Sequence, residues 1–237
     1  MPSQYYRNLD DFRLERFEQR LASEELLPAR RVLKEDLEER FRVLRSLGIT
    51  NLQGVMDNLG TKRRISAFAQ KSGLPYDYLV ILGREARSYV PKPVHFRQIP
   101  GLDPDHVARL EATGIKHTKH LFDQALTPAA RLALSEETGL ACSDILEYVR
   151  MSDMARILGV GPVFVCLDYA AGERSLVDLS TRSPEELWSH LHDVNDAQGL
   201  SSVVPSLKDV KHSVREAQEL PHVVEYESAA PRQGEAH

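Results

Sequence analysis

Ile99-Pro100-Gly101-Leu102-Asp103-Pro104 returns 58 residues later as Ile157-Leu158-Gly159-Val160-Gly161-Pro162, and the same shift carries Gly114 onto Gly172. Proline at the end of each copy suits the first turn of a helix, where its missing amide hydrogen would have had no intrahelical partner. A shift of 66 relates an earlier stretch to the first of these, placing Leu44 on Leu110, Gly48 on Gly114, Ile49 on Ile115, Gly73 on Gly139 and Leu79 on Ile145. Paired glycines with apolar followers, recurring at intervals of about 60 residues, mark a tandem repeat. Three units follow, each a run of short helices about 60 residues long.

The fold class is all-α. Apolar residues recur at i, i+3 and i+4, whereas alternation of apolar and polar residues between turns does not recur. Leu33, Leu37, Phe41, Leu44 and Leu47 form one such stripe, with Pro28 before it and Gly48 after it, and together they predict a long helix from Pro28 to Leu47. Thr127-Pro128 and Ser183-Pro184 read as helix starts, and Gly73 and Gly139 as helix stops. Pro91-Lys92-Pro93 interrupts the pattern. The expected organisation is an N-terminal helical region over 1–90, a linker over 91–98, tandem units over 99–220 and a disordered tail over 221–237.

The 237 residues carry a net charge of −5, unevenly spread. Residues 1–100 hold 18 Lys+Arg against 13 Asp+Glu, and the remainder 12 against 22. An acidic whole disfavours wholesale binding to a phosphate backbone, so any such site belongs in the first half. No apolar run is long enough to cross a membrane and no secretory segment opens the chain, so a cytoplasmic protein is expected. Cys142 and Cys166 sit in apolar helical stretches and read as free thiols.

The matched segments resemble the helix-hairpin-helix motif, in which glycines allow a turn too tight for side chains and the amides of the next helix's first turn point outward together. Gly159 and Gly161 are both kept, so that loop is a candidate phosphate site. In the other copy Asp103 replaces the second glycine and is placed to cap the helix itself. The first unit has Glu35 at the position of Gly101, inside the expected long helix, and carries positive charge instead. Lys62, Arg63, Arg64 and Lys71 share one predicted helix and Arg84 and Arg87 the next, a set suited to tracking phosphates. Aromatic residues suited to stacking on bases are not interleaved with this set, apart from Tyr76 and Tyr78. His117 and His120 share a helical face without completing a metal set, Val163-Phe164-Val165-Cys166-Leu167 is an uncharged stretch suited to self-association, and no catalytic motif occurs.

With these segments laid out, the chain resembles the family catalogued as domain of unknown function 4332, which is related to helix-hairpin-helix proteins. The likeness rests on Ile99-Pro100-Gly101-Leu102, Ala112-Thr113-Gly114-Ile115, Thr138-Gly139-Leu140, Asp153-Met154-Ala155-Arg156-Ile157, Gly159-Val160-Gly161 and Pro205-Ser206-Leu207. Leu26 to Val90 looks like the N-terminal extension of longer members. What the resemblance implies is an α-helical fold and nucleic-acid binding, with no catalytic residues to carry over. The expected function is thus a non-catalytic, sequence-independent nucleic-acid-binding module that meets the DNA or RNA backbone and needs no cofactor or metal. A protein-interaction or self-associating scaffold is the rival.

Overall fold

The structure, a computed structural model, describes residues 3–226. The described residues are helical and contain no strand; two single-residue bridges are the only extended pairings. The chain divides into two compact units, one of residues 7–90 and one that joins residues 1–6 to 91–237.

In the smaller unit α1 (Leu14–Ser23) and a 3-10 helix (Pro28–Lys34) precede α2 (Leu37–Ser46), α3 (Leu52–Leu59), α4 (Lys62–Ser72) and α5 (Tyr76–Ser88). In the larger unit a 3-10 turn (Phe96–Gln98) precedes two further quartets. These are α6 (Pro104–Ala112), α7 (Thr118–Gln124), α8 (Pro128–Thr138) and α9 (Cys142–Met154), then α10 (Pro162–Ala170), α11 (Leu176–Thr181), α12 (Pro184–Gln198) and α13 (Leu207–Glu219).

The quartets repeat at the level of single hydrogen bonds. The first helix of each ends on a glycine with positive φ, namely Gly48 at 85°, Gly114 at 88° and Gly172 at 87°. The next amide bonds back to the helix, Ile49 to the Leu44 carbonyl at 3.1 Å, Ile115 to Leu110 at 3.0 Å and Glu173 to Asp168 at 3.1 Å. That six-to-one closure satisfies a carbonyl the helix leaves open, and it needs a left-handed residue that glycine supplies without a Cβ clash. Three residues after the glycine, the side chains of Asn51, His117 and Ser175 accept the amides of Gly54, His120 and Asp178 and start the second helix. Thr61, Thr127 and Ser183 cap the third helix in the same way, and Gly73, Gly139 and Gly199 end it. In every quartet the second helix packs on the fourth.

Two segments differ from expectation. Residues 28–47 are not one helix: the 3-10 helix ends at Lys34, and Asp36 stands in the left-handed region at φ 46° before α2 begins. The apolar stripe is real, with Leu33, Phe41 and Leu44 buried, but a stripe does not encode continuity. Aspartate tolerates left-handed backbone better than most side chains, and Arg40 pairs with both Asp36 (3.4 Å) and Glu35 (3.8 Å) across the break. The first unit has therefore kept a turn ahead of α2.

The second difference lies at the C-terminal end. Pro221–Tyr226, expected to be disordered, is pinned to the larger unit. The buried Arg131 guanidinium donates to the Glu225 carbonyl (2.7 Å), the Glu225 amide donates to Leu126 (2.9 Å), and the Tyr226 hydroxyl donates to Asp153 (2.9 Å). Arg156, fully buried, donates to Asp153 (2.5 Å) and to the carbonyls of Gln4, Tyr5 and Pro221. The rest of the expected tail, 227–237, lies outside the described residues.

Candidate nucleic-acid interface

Helix α4 starts where the Thr61 hydroxyl accepts the Arg64 amide at 3.3 Å and stops at Gly73. Ile65 and Phe68, three apart, are its buried pair, which leaves Lys62, Arg63, Arg64 and Lys71 exposed. Helix α5 buries Leu79, Leu82, Gly83 and Ala86, and its Arg84 and Arg87 are exposed. A Cβ on Gly83 would stand 3.0 Å from the Leu59 Cβ, so this glycine is what lets α5 lie so close to the end of α3.

Two of the six cations have structural partners. Arg64 donates to the Asp57 carbonyl and Arg87 to the Leu59 carbonyl, each at 3.1 Å, so both guanidiniums serve the C-terminal end of α3. Unsatisfied carbonyls and the negative pole of the helix dipole favour cations there. Among the described residues Lys62, Arg63, Lys71 and Arg84 make no hydrogen bond or ion pair through their side chains. Arg64 and Lys71 line a shallow depression of about 250 Å³ with Asp57, Asn58, Ala67 and Phe68, which brings together the two residues that the helical spacing places on one face. Within residues 51–90 these six are all of the Lys and Arg, against the acids Asp57, Asp77 and Glu85, and Glu85 is bonded to Arg30. Tyr78 is buried beneath Arg40 and offers no stacking surface, while Tyr76 is 38% exposed.

Gly159 and Gly161 belong to the larger unit. Gly159 is exposed at φ 84°, and Gly161 precedes α10 without a side-chain cap. No charged residue stands in the first turn of α10. The loop borders a cavity that also exposes Asp168 and Asp209. At the corresponding turn before α6, Asp103 accepts the Asp105 amide at 2.8 Å, so a carboxylate fills the place an anion would take.

The apolar stretch 163–167 is used inside the larger unit. Val165 and Leu167 are fully buried, and Phe164 and Cys166 pack against the same core. His117 and His120 stack at 3.5 Å with His95 nearby; burial and the neighbouring imidazoles lower the pKa of His117. No group of three metal-ligating side chains occurs among the described residues. Both cysteines are free thiols, and no described helix is long and apolar enough to cross a membrane. Arg64 and Arg87 as helix-end caps, the buried Arg131 and Arg156 and the buried Asp168 escaped the sequence reading. A signal existed only for Asp168, which falls opposite Leu110 when the repeats are aligned.

Together these features define an all-helical protein of repeated four-helix units with a cluster of exposed Lys and Arg on α4 and α5. Residues 100–220, just over half of the chain, match the family described as Domain of unknown function (DUF4332), and the chain belongs to that family. No curated protein and no solved structure gave a match.

Proposed function

We propose that this protein is a non-catalytic nucleic-acid-binding module of the cytoplasm that grips the phosphate backbone through the α4–α5 face without reading sequence. The observation that carries the reading is the set Lys62, Arg63, Lys71 and Arg84, exposed on two helices packed on each other and unpaired among the described residues. Unpaired surface cations exchange counterions for phosphates at low desolvation cost, and mobile lysine and forked arginine heads follow a backbone without selecting bases.

The repeated turns support descent from helix-hairpin-helix units, but the third turn serves packing in this reading. Asp168 and Asp209 line the cavity beside Gly159, and their negative charge disfavours a phosphate there. The uncharged 163–167 stretch gives the homodimer alternative less support, because Val165 and Leu167 are buried and Phe164 and Cys166 pack against the core of their own unit.

Fluorescence anisotropy on labelled duplex and single-stranded oligonucleotides tests the proposal. Binding at low salt that weakens steeply as salt rises, with similar Kd values for unrelated sequences, is the expected result. Absence of binding at low salt, or full binding after Lys62, Arg63, Lys71 and Arg84 are all changed to glutamate, sinks it.

A further inference from the structure

The third quartet departs from the other two at the turn that closes its first helix. The residue whose carbonyl accepts the amide after the positive-φ glycine is Leu44 in the first copy, Leu110 in the second and Asp168 in the third. The residue supplying that amide is Ile49, then Ile115, then Glu173. Leu44, Leu110, Ile49 and Ile115 are buried apolar residues, the usual filling of this turn. In the third copy both members of the pair are carboxylic acids, and both are still buried. Trading a buried leucine for an acid forfeits the burial of an apolar side chain and adds a desolvation cost. The sister copies make the same turn without it, so the turn does not require the acids.

The two acids are not equally compensated. Arg182 reaches Glu173 at 2.8 Å, with Asp178 and His190 close by. Asp168 is 7% exposed, and its carboxyl makes no hydrogen bond or ion pair among the described residues. It lines a cavity of about 70 Å³ between α10, α12 and α13, otherwise walled mostly by apolar side chains. Asp209 and His212 also border this cavity, but Asp209 is engaged by the amide and hydroxyl of Ser206 at the start of α13. The pair of acids thus has one cation between them, and the site holds an excess negative charge whenever Asp168 is ionised. Burial, and then the Glu173 charge, push the Asp168 pKa up to about 7.

We propose that this cavity binds a small alkylammonium of about five non-hydrogen atoms, a size that follows from the ~10–15 Å³ taken by each water-sized occupant. Its cationic head pairs with the Asp168 carboxylate and its chain lies against Phe164, Leu187, Leu191 and Val210. A cation supplies the missing partner of Asp168 and relieves its repulsion with Glu173; a neutral alcohol of the same size does only the first half of that, as a hydrogen bond.

The test uses the full chain, butylammonium chloride and 1-butanol, with amide chemical shifts followed by NMR at pH 6 and pH 8. Saturable shifts at Phe164, Leu187, Leu191 and Val210 with butylammonium are expected, with a Kd about tenfold lower at pH 8, because Asp168 must lose its proton while the amine, like a lysine, stays protonated to about pH 10. Asp168→Asn should abolish the pH dependence and weaken binding at pH 8 by at least about tenfold. Asp168→Leu, which installs the residue of the sister copies, should raise the Tm and remove binding. Butanol binding as tightly as butylammonium, a Kd that does not change with pH, binding unaffected in Asp168→Asn, or no saturation in the millimolar range would each overturn the proposal.

Discussion

The Arg156 guanidinium and the Asp153 carboxylate are both buried and lie 2.5 Å apart. Around this pair close two stretches that are far apart in the chain, through the carbonyls of Gln4, Tyr5 and Pro221 on the arginine and the Tyr226 hydroxyl on the aspartate. Removing one partner of such a pair leaves a desolvated charge, so Arg156→Leu should destabilise the larger unit by about 3–5 kcal/mol. Tyr226→Phe removes one hydrogen bond to a charged group and should cost about 1.5–3 kcal/mol. Urea unfolding followed by circular dichroism measures both; an Arg156→Leu loss below that of Tyr226→Phe would contradict the arrangement.

Asp36 sits in left-handed backbone, where a side chain costs roughly 1 kcal/mol relative to glycine. In its ion pair with Arg40 the aspartate side is 76% exposed, so solvent screens the pair and it returns little of that. Asp36→Gly should therefore be neutral or slightly stabilising, and Asp36→Val destabilising by more than about 1 kcal/mol. Thermal melts of the two variants decide it, and equal Tm values would mean the turn relaxes.

A methyl group on Gly83 would stand 3.0 Å from the Leu59 Cβ and 3.1 Å from its carbonyl oxygen, so α3 must give way to admit it. Gly83→Ala should cost about 1–3 kcal/mol by overpacking and should displace Arg87 from the Leu59 carbonyl. Hydrogen exchange at the end of α3 would register the change, and protection identical to that of the wild type would refute it.

Asp168 gives the pH dependence a defined sign. Its carboxyl titrates near 3.8 when unfolded and at about 7 when folded, so between those values the native state holds the extra proton. Stability contributed by the protonated form then falls as pH rises from about 4 to 7 and is lost above the folded value. Asp168→Leu should flatten that part of the stability profile in urea titrations across the range. An unchanged slope would place the titration elsewhere.

Nucleic-acid binding through four unpaired cations should show a log–log salt slope of about −3 to −4 on duplex DNA, at roughly 0.9 per phosphate. Each Lys62→Ala or Arg84→Ala change should reduce the slope by about one, and Arg64→Ala by less, since Arg64 is bonded to Asp57. Salt titrations of Kd separate these cases.

What the sequence made legible is what glycine and capping residues mark. Gly48, Gly114 and Gly172 must be glycine for φ near 87°, and so the internal alignment found them. The same alignment overlooked the turn at Asp36, because an aspartate in left-handed backbone leaves no distinctive letter. Val163 to Leu167 left two uses open, since an uncharged run reads alike whether it faces a partner or the chain's own core. The cations Lys62 to Arg87 were legible as a group, but the use of Arg64 and Arg87 at the end of α3 depends on carbonyls that sequence spacing does not locate.

The division of the chain has a consequence for synthesis. Residues 7–90 form a unit from one continuous stretch, whereas the larger unit takes Tyr5 from before it and Tyr226 from far beyond it. During synthesis Gln4 and Tyr5 wait for Arg156 and then for Pro221 to Tyr226, whereas the smaller unit draws on no residue after Val90. Closure of the larger unit is thus a long-range event, set by contacts that the continuous smaller unit does not require.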